Sequence, residues 1–315
     1  MGAAFWEPWI WLSVMAAGFQ TVRFMLQKAL SMGAVSALGA TFARFAYAAP
    51  LAMAMAAGYL LWSSPGGAAP SLGSWFWPYA LVGGAAQIVA TWMVVLLFAE
   101  RNFAVGVTFK KTEVVQTALV GVVVLGDAVS LAAAVSILLG LGGVLLLSDP
   151  PKAEAEGDAP ALRGWRRFAN RAAGLGVASG AFFAISAVTY RGATLEVGSE
   201  DPLLRGLVTV AAVTAAQSLS MTLYLLHYEP GQLTKVWAAR ATAVWIGVAS
   251  LAGSIGWFTA FTLQNAAYVF AVGQVEVIFS ILVSVLVFGE RITWREAAGM
   301  AVLTASILGL VLLGA

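Results

Sequence analysis

Two glutamates, Glu113 and Glu276, lie deep inside long apolar stretches of this chain. A charged group at the centre of a bilayer costs at least ~2.5–3.5 kcal/mol, so such groups usually face a protein interior or a water-filled cavity. Lys110 precedes Glu113 by three residues and shares its helical face, whereas Lys111 is rotated from Lys110 by about 100°. Carboxyl and ammonium groups at one depth predict a binding site for protons or small charged molecules.

The two glutamates differ in their local sequence. Glu113 follows two lysines, so we expect it to remain ionised as a counter-ion. Glu276 has Gln274 in the place of Lys111 and no cation nearby in sequence, so we expect it to bind a coupling proton or a substrate ammonium. Lys111 or Lys110 then receives a substrate carboxylate, unless Lys110 only neutralises Glu113.

Other polar and aromatic side chains in the apolar stretches allow two interpretations. Gln87 and Thr91 lie one helical turn apart, as do Ser250 and Ser254, so each pair either lines a cavity or bonds a neighbouring helix. A further set of aromatic residues either forms apolar walls around a substrate or only packs between helices: Trp92, Trp257, Phe258 and Tyr268.

The first apolar stretch carries one polar stripe, formed by Ser13, Gln20, Arg23 and Gln27. Arg23 is the charged member of this stripe. It either contributes to binding or, as we favour, extends its guanidinium to the nearby membrane surface.

Composition places the whole chain in a membrane. Hydrophobic residues make up 61% and charged residues 10% of its 315 residues, against roughly 45–50% and about 25% in soluble domains. The net charge of +2 offers no basic patch for nucleic acid. With no cysteine and one histidine, we expect no disulfide, no metal site, no cofactor and no enzyme nucleophile of the usual kind.

The apolar residues form ten stretches that are long enough for membrane helices and lack the polar alternation of barrel strands. Turn or charge signals separate them, such as Ser63-Ser64-Pro65-Gly66-Gly67 and Glu229-Pro230-Gly231. The sequence therefore predicts an all-α membrane protein with ten transmembrane helices. Their approximate ranges are 9–28, 39–61, 75–98, 103–125, 128–147, 172–190, 203–226, 241–262, 266–288 and 296–314.

The two halves of the chain repeat one another. A constant offset of 163 residues carries the fourth and fifth stretches onto the ninth and tenth without a gap. Because five helices are an odd number, the second copy must be inverted in the membrane, an arrangement typical of secondary transporters with a site near the midplane. We expect a first repeat at 1–147, a polar linker at 148–171 and a second repeat at 172–315, complete within a monomer. The offset pairs Asn102 with Asn265, Glu113 with Glu276, Gly126-Asp127 with Gly289-Glu290, Thr117 with Ser280, Gly121 with Ser284, Gln87 with Ser250 and Thr91 with Ser254.

The distribution of lysine and arginine predicts the topology. With ten helices both termini share a face, and Arg191 and Arg205 are the cations assigned to it. Cytoplasmic loops carry the excess of basic residues, so we expect the 148–171 linker inside the cell and both termini outside the inner membrane. The opposite face collects twelve cations: Lys28, Arg44, Arg101, Lys152, Arg163, Arg166, Arg167, Arg171, Lys235, Arg240, Arg291 and Arg295.

Gly289-Glu290-Arg291-Ile292-Thr293 stands before a glycine-rich helix, and Gly126-Asp127 stands at the equivalent place in the first half. These motifs resemble the signature that closes each repeat of the EamA-type transporters of the drug/metabolite transporter superfamily. Arg44-Phe45 and Arg205 resemble the arginine found early in the second helix of each repeat. The resemblance implies ten helices and movement of small metabolites, commonly export of amino acids or related compounds.

These observations lead to one expectation and two alternatives. We expect a secondary transporter that moves a small zwitterionic or anionic metabolite by alternating access, with proton coupling resting on Glu276. Efflux of lipophilic cations or drugs is the alternative within transport. From other classes, an intramembrane enzyme lacks a visible nucleophile or metal ligands, and a scaffold has no need of paired central glutamates.

Overall fold

The computed structural model describes residues 7–63, 69–100, 109–147, 171–279, 282 and 294–313. These parts of the chain are almost entirely helical, and the β-type pairing that they contain is an isolated bridge between Leu72 and Val197. In chain order the helices are α1 (Pro8–Ser31), α2 (Ala37–Ser63), α3 (Phe76–Leu97), α4 (Glu113–Leu125), α5 (Leu131–Leu147), α6 (Arg171–Leu195), α7 (Pro202–Tyr228), α8 (Gln232–Ala238), α9 (Arg240–Leu263), α10 (Ala266–Gly273) and α11 (Trp294–Leu313).

Six of these helices are long and apolar enough to cross a membrane: α1, α2, α3, α6, α7 and α9. Shorter apolar helices occupy the remaining four predicted stretches, at Glu113–Leu125, Leu131–Leu146, Ala266–Phe279 and Ala297–Leu313. Large apolar side chains cover the outside of the bundle, and Val123 and Leu131 are 83% and 82% exposed. A surface of this kind is typical of a protein that is embedded in lipid. The chain is therefore an all-helical membrane protein.

Helix ends follow local chemistry. Proline occupies the first turn of α1 and of α7, where its missing N–H leaves no hydrogen bond unmade. Asp201 caps α7 by accepting from the N–H groups of Leu203 and Leu204, and Asn265 caps α10 by accepting from Ala267. Gly126 ends α4 in the left-handed conformation, with φ 69°, that glycine adopts without strain.

Helices from one half of the chain pack against helices from the other half, in reciprocal pairs. α1 packs on α9 while α6 packs on α3, and α2 packs on α7, α5 on α11 and α4 on α10. Glycines permit the close crossings. A Cβ at Gly256 would lie 3.0 Å from Leu12 O on α1, and one at Gly143 would lie 2.9 Å from Leu303 N on α11. One apolar core accordingly includes residues of both halves.

The connections between helices contact each other in two groups. At one end of the bundle, Gln232 accepts from the Ser36 N–H, and Arg295 donates to Leu146 O. The second group contains the hydrogen bond of Tyr59 to Asp201, the bond of Gly73 N–H to Glu196 O and the ion pair of Arg191 with Asp127.

Several sequence expectations lie outside the described residues. They comprise the linker at 148–170, the signature Gly289-Glu290-Arg291-Ile292-Thr293, and the repeat partners Asn102, Ser280 and Ser284.

Candidate functional site

The fourth and ninth apolar stretches each contain a turn that interrupts the regular α-helical hydrogen bonding, which was not predicted from the sequence. The backbone keeps right-handed helical dihedrals at both turns, with φ −65° and ψ −9° at Thr112 and φ −60° and ψ −15° at Gln274. Residues 111 and 112 form a turn, so Glu113 is the first residue of α4 instead of the middle of one long helix. α10 ends at Gly273, and a turn at Gln274 separates it from helical residues 275–279. The two interruptions occupy equivalent positions under the 163-residue offset. They also contact each other, because the Gln274 amide nitrogen donates to Lys111 O at 3.4 Å.

Lys110 and Glu113 form a local ion pair at the first interruption. The Lys110 Nζ donates to both oxygens of Glu113, at 2.9 and 2.8 Å, and both side chains are buried. The ammonium also lies 4.9 Å from the centre of the Phe183 ring and 5.8 Å from that of Phe24, within range of cation–π attraction. The ion pair with Lys110 therefore neutralises the Glu113 carboxylate in this structure.

Lys111 and Glu276 form the second ion pair, which joins the two interruptions. Lys111 Nζ lies 2.9 Å from Glu276 Oε2, and the Gln20 amide donates to the same oxygen at 3.0 Å. Glu276 has no cation nearby in sequence, but the fold supplies one. Its partner lies 165 residues away in the chain and reaches it only because α4 packs against α10.

Arg23 is buried, so the expectation that it extends to the membrane surface is wrong. It is 2% exposed, and its guanidinium lies 4.3 Å from the centre of the Phe24 ring. One of its nitrogens, Nη2, is 3.4 Å from the side-chain oxygen of Gln20. The other terminal nitrogen, Nη1, has no hydrogen-bond partner among the described residues.

Arg44 is also buried, at 5% exposure, which corrects its assignment to the basic membrane face. Its Nη1 donates to Thr91 Oγ1 at 2.7 Å, and its guanidinium lies 5.0 Å from the centre of the Phe45 ring. Arg23 interacts electrostatically with both Arg44 and Glu276, but neither arginine forms an ion pair with a carboxylate in the described part of the chain.

The charges at this site do not balance. Four cations lie together in the interior, and the two carboxylates beside them are each bonded to a lysine. Within the described residues, two positive charges are therefore left without a carboxylate. The cations are Arg23, Arg44, Lys110 and Lys111, and the carboxylates are Glu113 and Glu276.

A small cavity of about 20 Å³ lies beside these charges, with room for about one water molecule. The polar residues that line it are Gln20, Arg44, Gln87, Ser186, Tyr190 and Ser254, and its apolar lining includes Trp257 and Phe261. A hydrogen-bonded network borders it, in which Gln87 accepts from the Tyr190 hydroxyl at 3.0 Å and from the Gln217 amide at 3.1 Å. This cavity is therefore too small for a metabolite.

The structure brings together most of the predicted site residues. Gln87 and Ser254 line the cavity, Thr91 holds Arg44, and Ser250 is buried on α9 without lining the cavity. Trp92 is half-buried outside the cavity lining. Tyr268 does not line the cavity, and its hydroxyl accepts from the Ser130 N–H in the turn before α5.

The sequence analysis missed residues that complete the site. From the sequence, Gln20 and Arg23 were recognised as members of the polar stripe on the first apolar stretch, and Arg44 was counted among the basic residues of one membrane face. None of the three was assigned to the site. Tyr190 and Gln217 were not singled out, although a hydroxyl and an amide inside apolar stretches were a weak signal. In the described residues no group of three His, Asp or Glu side chains could hold a metal ion.

Comparison with known proteins adds information on the fold alone. No protein-family model and no curated protein matches this chain. Among solved structures 28 chains match, and one of them is a crystal structure described only as that of a protein. It aligns over 95% of this chain and 99% of its own, with a TM-score of 0.65 and 16% identity. A solved protein therefore shares this helical arrangement.

Proposed function

We propose that this chain is a secondary transporter of small anionic or zwitterionic metabolites that works by alternating access. The observation that carries the proposal is the junction of two interrupted helices, one from each half, whose buried charges meet at 2.9 Å beside a cavity. Interrupted helices whose ends meet near the midplane are how secondary transporters place polar groups at membrane depth. The proposal includes EamA-type membership, which rests on the sequence motifs.

The proposed architecture has ten membrane spans in two inverted repeats. Reciprocal packing supports this proposal. The first helix of each proposed repeat packs on the third spanning helix of the other, α1 on α9 and α6 on α3. The two groups of connecting segments also fit spans that alternate in direction. Without the buried Arg44, eleven cations still oppose two, which favours a cytoplasmic linker and both termini outside the inner membrane.

The balance of charge favours an anionic or zwitterionic substrate over a lipophilic cation. Both carboxylates at the site are already bonded to lysines, so neither is available to a cation without breaking an ion pair. Two arginines without carboxylate partners would also repel a cation. A scaffold role gives no reason to keep several charges at a depth where each costs at least ~2.5–3.5 kcal/mol.

In this mechanism the ion pair of Lys111 with Glu276 holds the closed state. It joins the two interruptions, so movement of one half against the other must stretch or break it. A proton on Glu276 would remove the attraction to Lys111, which links protonation to opening and gives Glu276 its proposed role in proton coupling. Export, with a substrate carboxylate held by the interior cations, is the direction that we propose.

The test is charge movement in proteoliposomes on a solid-supported membrane, with pooled amino acids, organic acids and organic cations. We expect currents with amino or organic acids, lost in Lys111→Met and altered in pH dependence in Glu276→Gln. Lys235→Gln, which removes an exposed positive charge at α8, is the matched control and should behave as the parent protein. Currents with organic cations alone would contradict the proposal, as would no current with any pool.

A further inference from the structure

Arg23 and Arg44 are buried cations for which the described part of the chain supplies no carboxylate partner. Both lie at 5% exposure or less, and their side-chain hydrogen bonds go to a neutral amide and a neutral hydroxyl. Buried charges in proteins are as a rule paired, because an unpaired charge loses its hydration without compensation. The lysines at the same site each have a carboxylate, so the shortage concerns the two arginines.

The two arginines also offer unused hydrogen-bonding capacity. Arg23 Nη1 is buried and has no hydrogen-bond partner in the described chain, and Arg44 lines the cavity. A guanidinium presents a planar fork of N–H donors that matches a carboxylate or phosphate group. Gln20 connects the two places, since it accepts from Arg23 and also lines the cavity that Arg44 borders.

The charge of the missing partner follows from the count at the site. Four cations and two carboxylates leave two positive charges, so an occupant that neutralises the site carries two negative charges. The opposite lining is aromatic, with Trp257, Phe258 and Phe261 in contact with the cavity. Such a wall suits an apolar or planar part of the same molecule.

We infer that Arg23 and Arg44 form the anion subsite of the transporter, and that its substrate is a small organic dianion. The inference rests on the proposed function and makes its substrate class specific. Two anionic groups, whether two carboxylates or one phosphate monoester, satisfy the same two arginines. Lys111 serves instead to join the two interrupted helices, and Lys110 neutralises Glu113.

Binding to the purified full-length protein tests this inference with four ligands that share one ring and differ in charge. Phthalate carries two negative charges, benzoate one, phenylalanine none overall and benzyltrimethylammonium one positive charge. We expect phthalate to bind at least tenfold more tightly than benzoate in isothermal titration calorimetry. Phenyl phosphate, run in parallel, shows whether the second charge may come from a phosphate group.

Charge-removing variants make the test specific to the two arginines. Arg23→Gln and Arg44→Gln should each lose the preference for phthalate over benzoate, because one excess positive charge is left. Arg44→Lys, which keeps the charge, should retain the preference, and the exposed Lys235→Gln should match the parent protein. Size-exclusion profiles establish that each variant is folded. If the glutamine variants fail to fold, Arg44→Lys and the charge series on the parent protein still decide the question.

The outcomes separate this inference from the function on which it rests. Tighter binding of benzoate or phenylalanine than of phthalate overturns the dianion, and phthalate binding that is unchanged in both glutamine variants overturns the subsite. Transport of monoanions or zwitterions without dianions would leave the transporter standing and remove this inference. Arginine-dependent phthalate binding without transport of any compound would support the subsite and remove the transporter.

Discussion

Removing the ion pair between Lys111 and Glu276 one residue at a time should cost far more stability than removing both. At an effective dielectric constant of about 20, two unit charges 2.9 Å apart attract by about 6 kcal/mol, and burial of both groups offsets part of this. Taking away one partner leaves the other charge buried, which typically costs about 3–5 kcal/mol. Lys111→Met should lie near the lower end, because Gln20 still donates to Glu276.

The double variant should recover most of the loss. Lys111→Met with Glu276→Gln leaves no buried charge at the junction, so we expect a free energy of unfolding within about 1–2 kcal/mol of the parent protein. Two single losses of about 3–5 kcal/mol would sum to about 6–10 kcal/mol if they were independent. The double-mutant cycle should therefore give a coupling energy of about 5 kcal/mol or more.

Equilibrium unfolding in mixed micelles of a mild detergent and SDS, followed by tryptophan fluorescence, measures this cycle. The matched control is Arg171 with Glu100, a pair at the end of the bundle in which Arg171 is 73% exposed. Its coupling energy should be about 0–1 kcal/mol, as for other surface pairs. If the losses at Lys111 and Glu276 simply add in the double variant, the pair does not join the two halves and the reasoning fails.

Three further predictions concern helix packing, the hydrogen bonds of Arg191 and the mode of transport. Gly143→Ala should destabilise by about 1–3 kcal/mol, because the new Cβ would meet α11 backbone at 2.9 Å, whereas Gly142→Ala, with open space around it, should be neutral in the same unfolding assay. Arg191→Gln should lower the free energy of unfolding by about 2–4 kcal/mol, because Arg191 donates to Asp127 and also to two backbone carbonyls at the end of α9. Asp127→Asn should lower it by only about 1 kcal/mol, and equal losses in the two variants would show that the bonds to the carbonyls do not contribute. In proteoliposomes, exchange of labelled against unlabelled dianion should be at least tenfold faster than net flux of the dianion. Equal rates would show that the transporter closes as readily without substrate as with it.

The sequence predicted the helices well and their interruptions not at all. Apolar runs such as 9–28 and 203–226 came within three residues of Pro8–Ser31 and Pro202–Tyr228, because a spanning helix needs about 20 apolar residues and this signal is strong. In the sequence, the only sign of the interruption at residues 111 and 112 is the threonine at position 112. There the Thr112 hydroxyl bonds Phe109 O and competes with helical hydrogen bonds, a choice that packing decides.

The site was predictable where partners are neighbours in sequence and not where packing brings them together. Lys110 and Glu113 are three residues apart on one helical face, so their pairing followed from spacing alone. The partner of Glu276 depends on which helices pack together, and one sequence does not contain that information. Arg23 and Arg44 were assigned to the membrane surface because each lies within a few turns of a helix end, whereas the direction that each side chain faces decides its burial.

The two excess charges connect the structure of the site to its transport mode. Arg23 and Arg44 carry two buried positive charges that have no carboxylate partner among the described residues, and Arg44 lines the cavity, whereas a dianion bound to both arginines would make the occluded site neutral overall. Because each uncompensated charge in the membrane interior costs at least ~2.5–3.5 kcal/mol, closing with substrate should be favoured over closing without it. A carrier that closes readily only when occupied returns with a second substrate, and this makes exchange faster than net flux. In the proposed transporter, the same excess of positive charge would both select the substrate and couple movement in one direction to movement in the other.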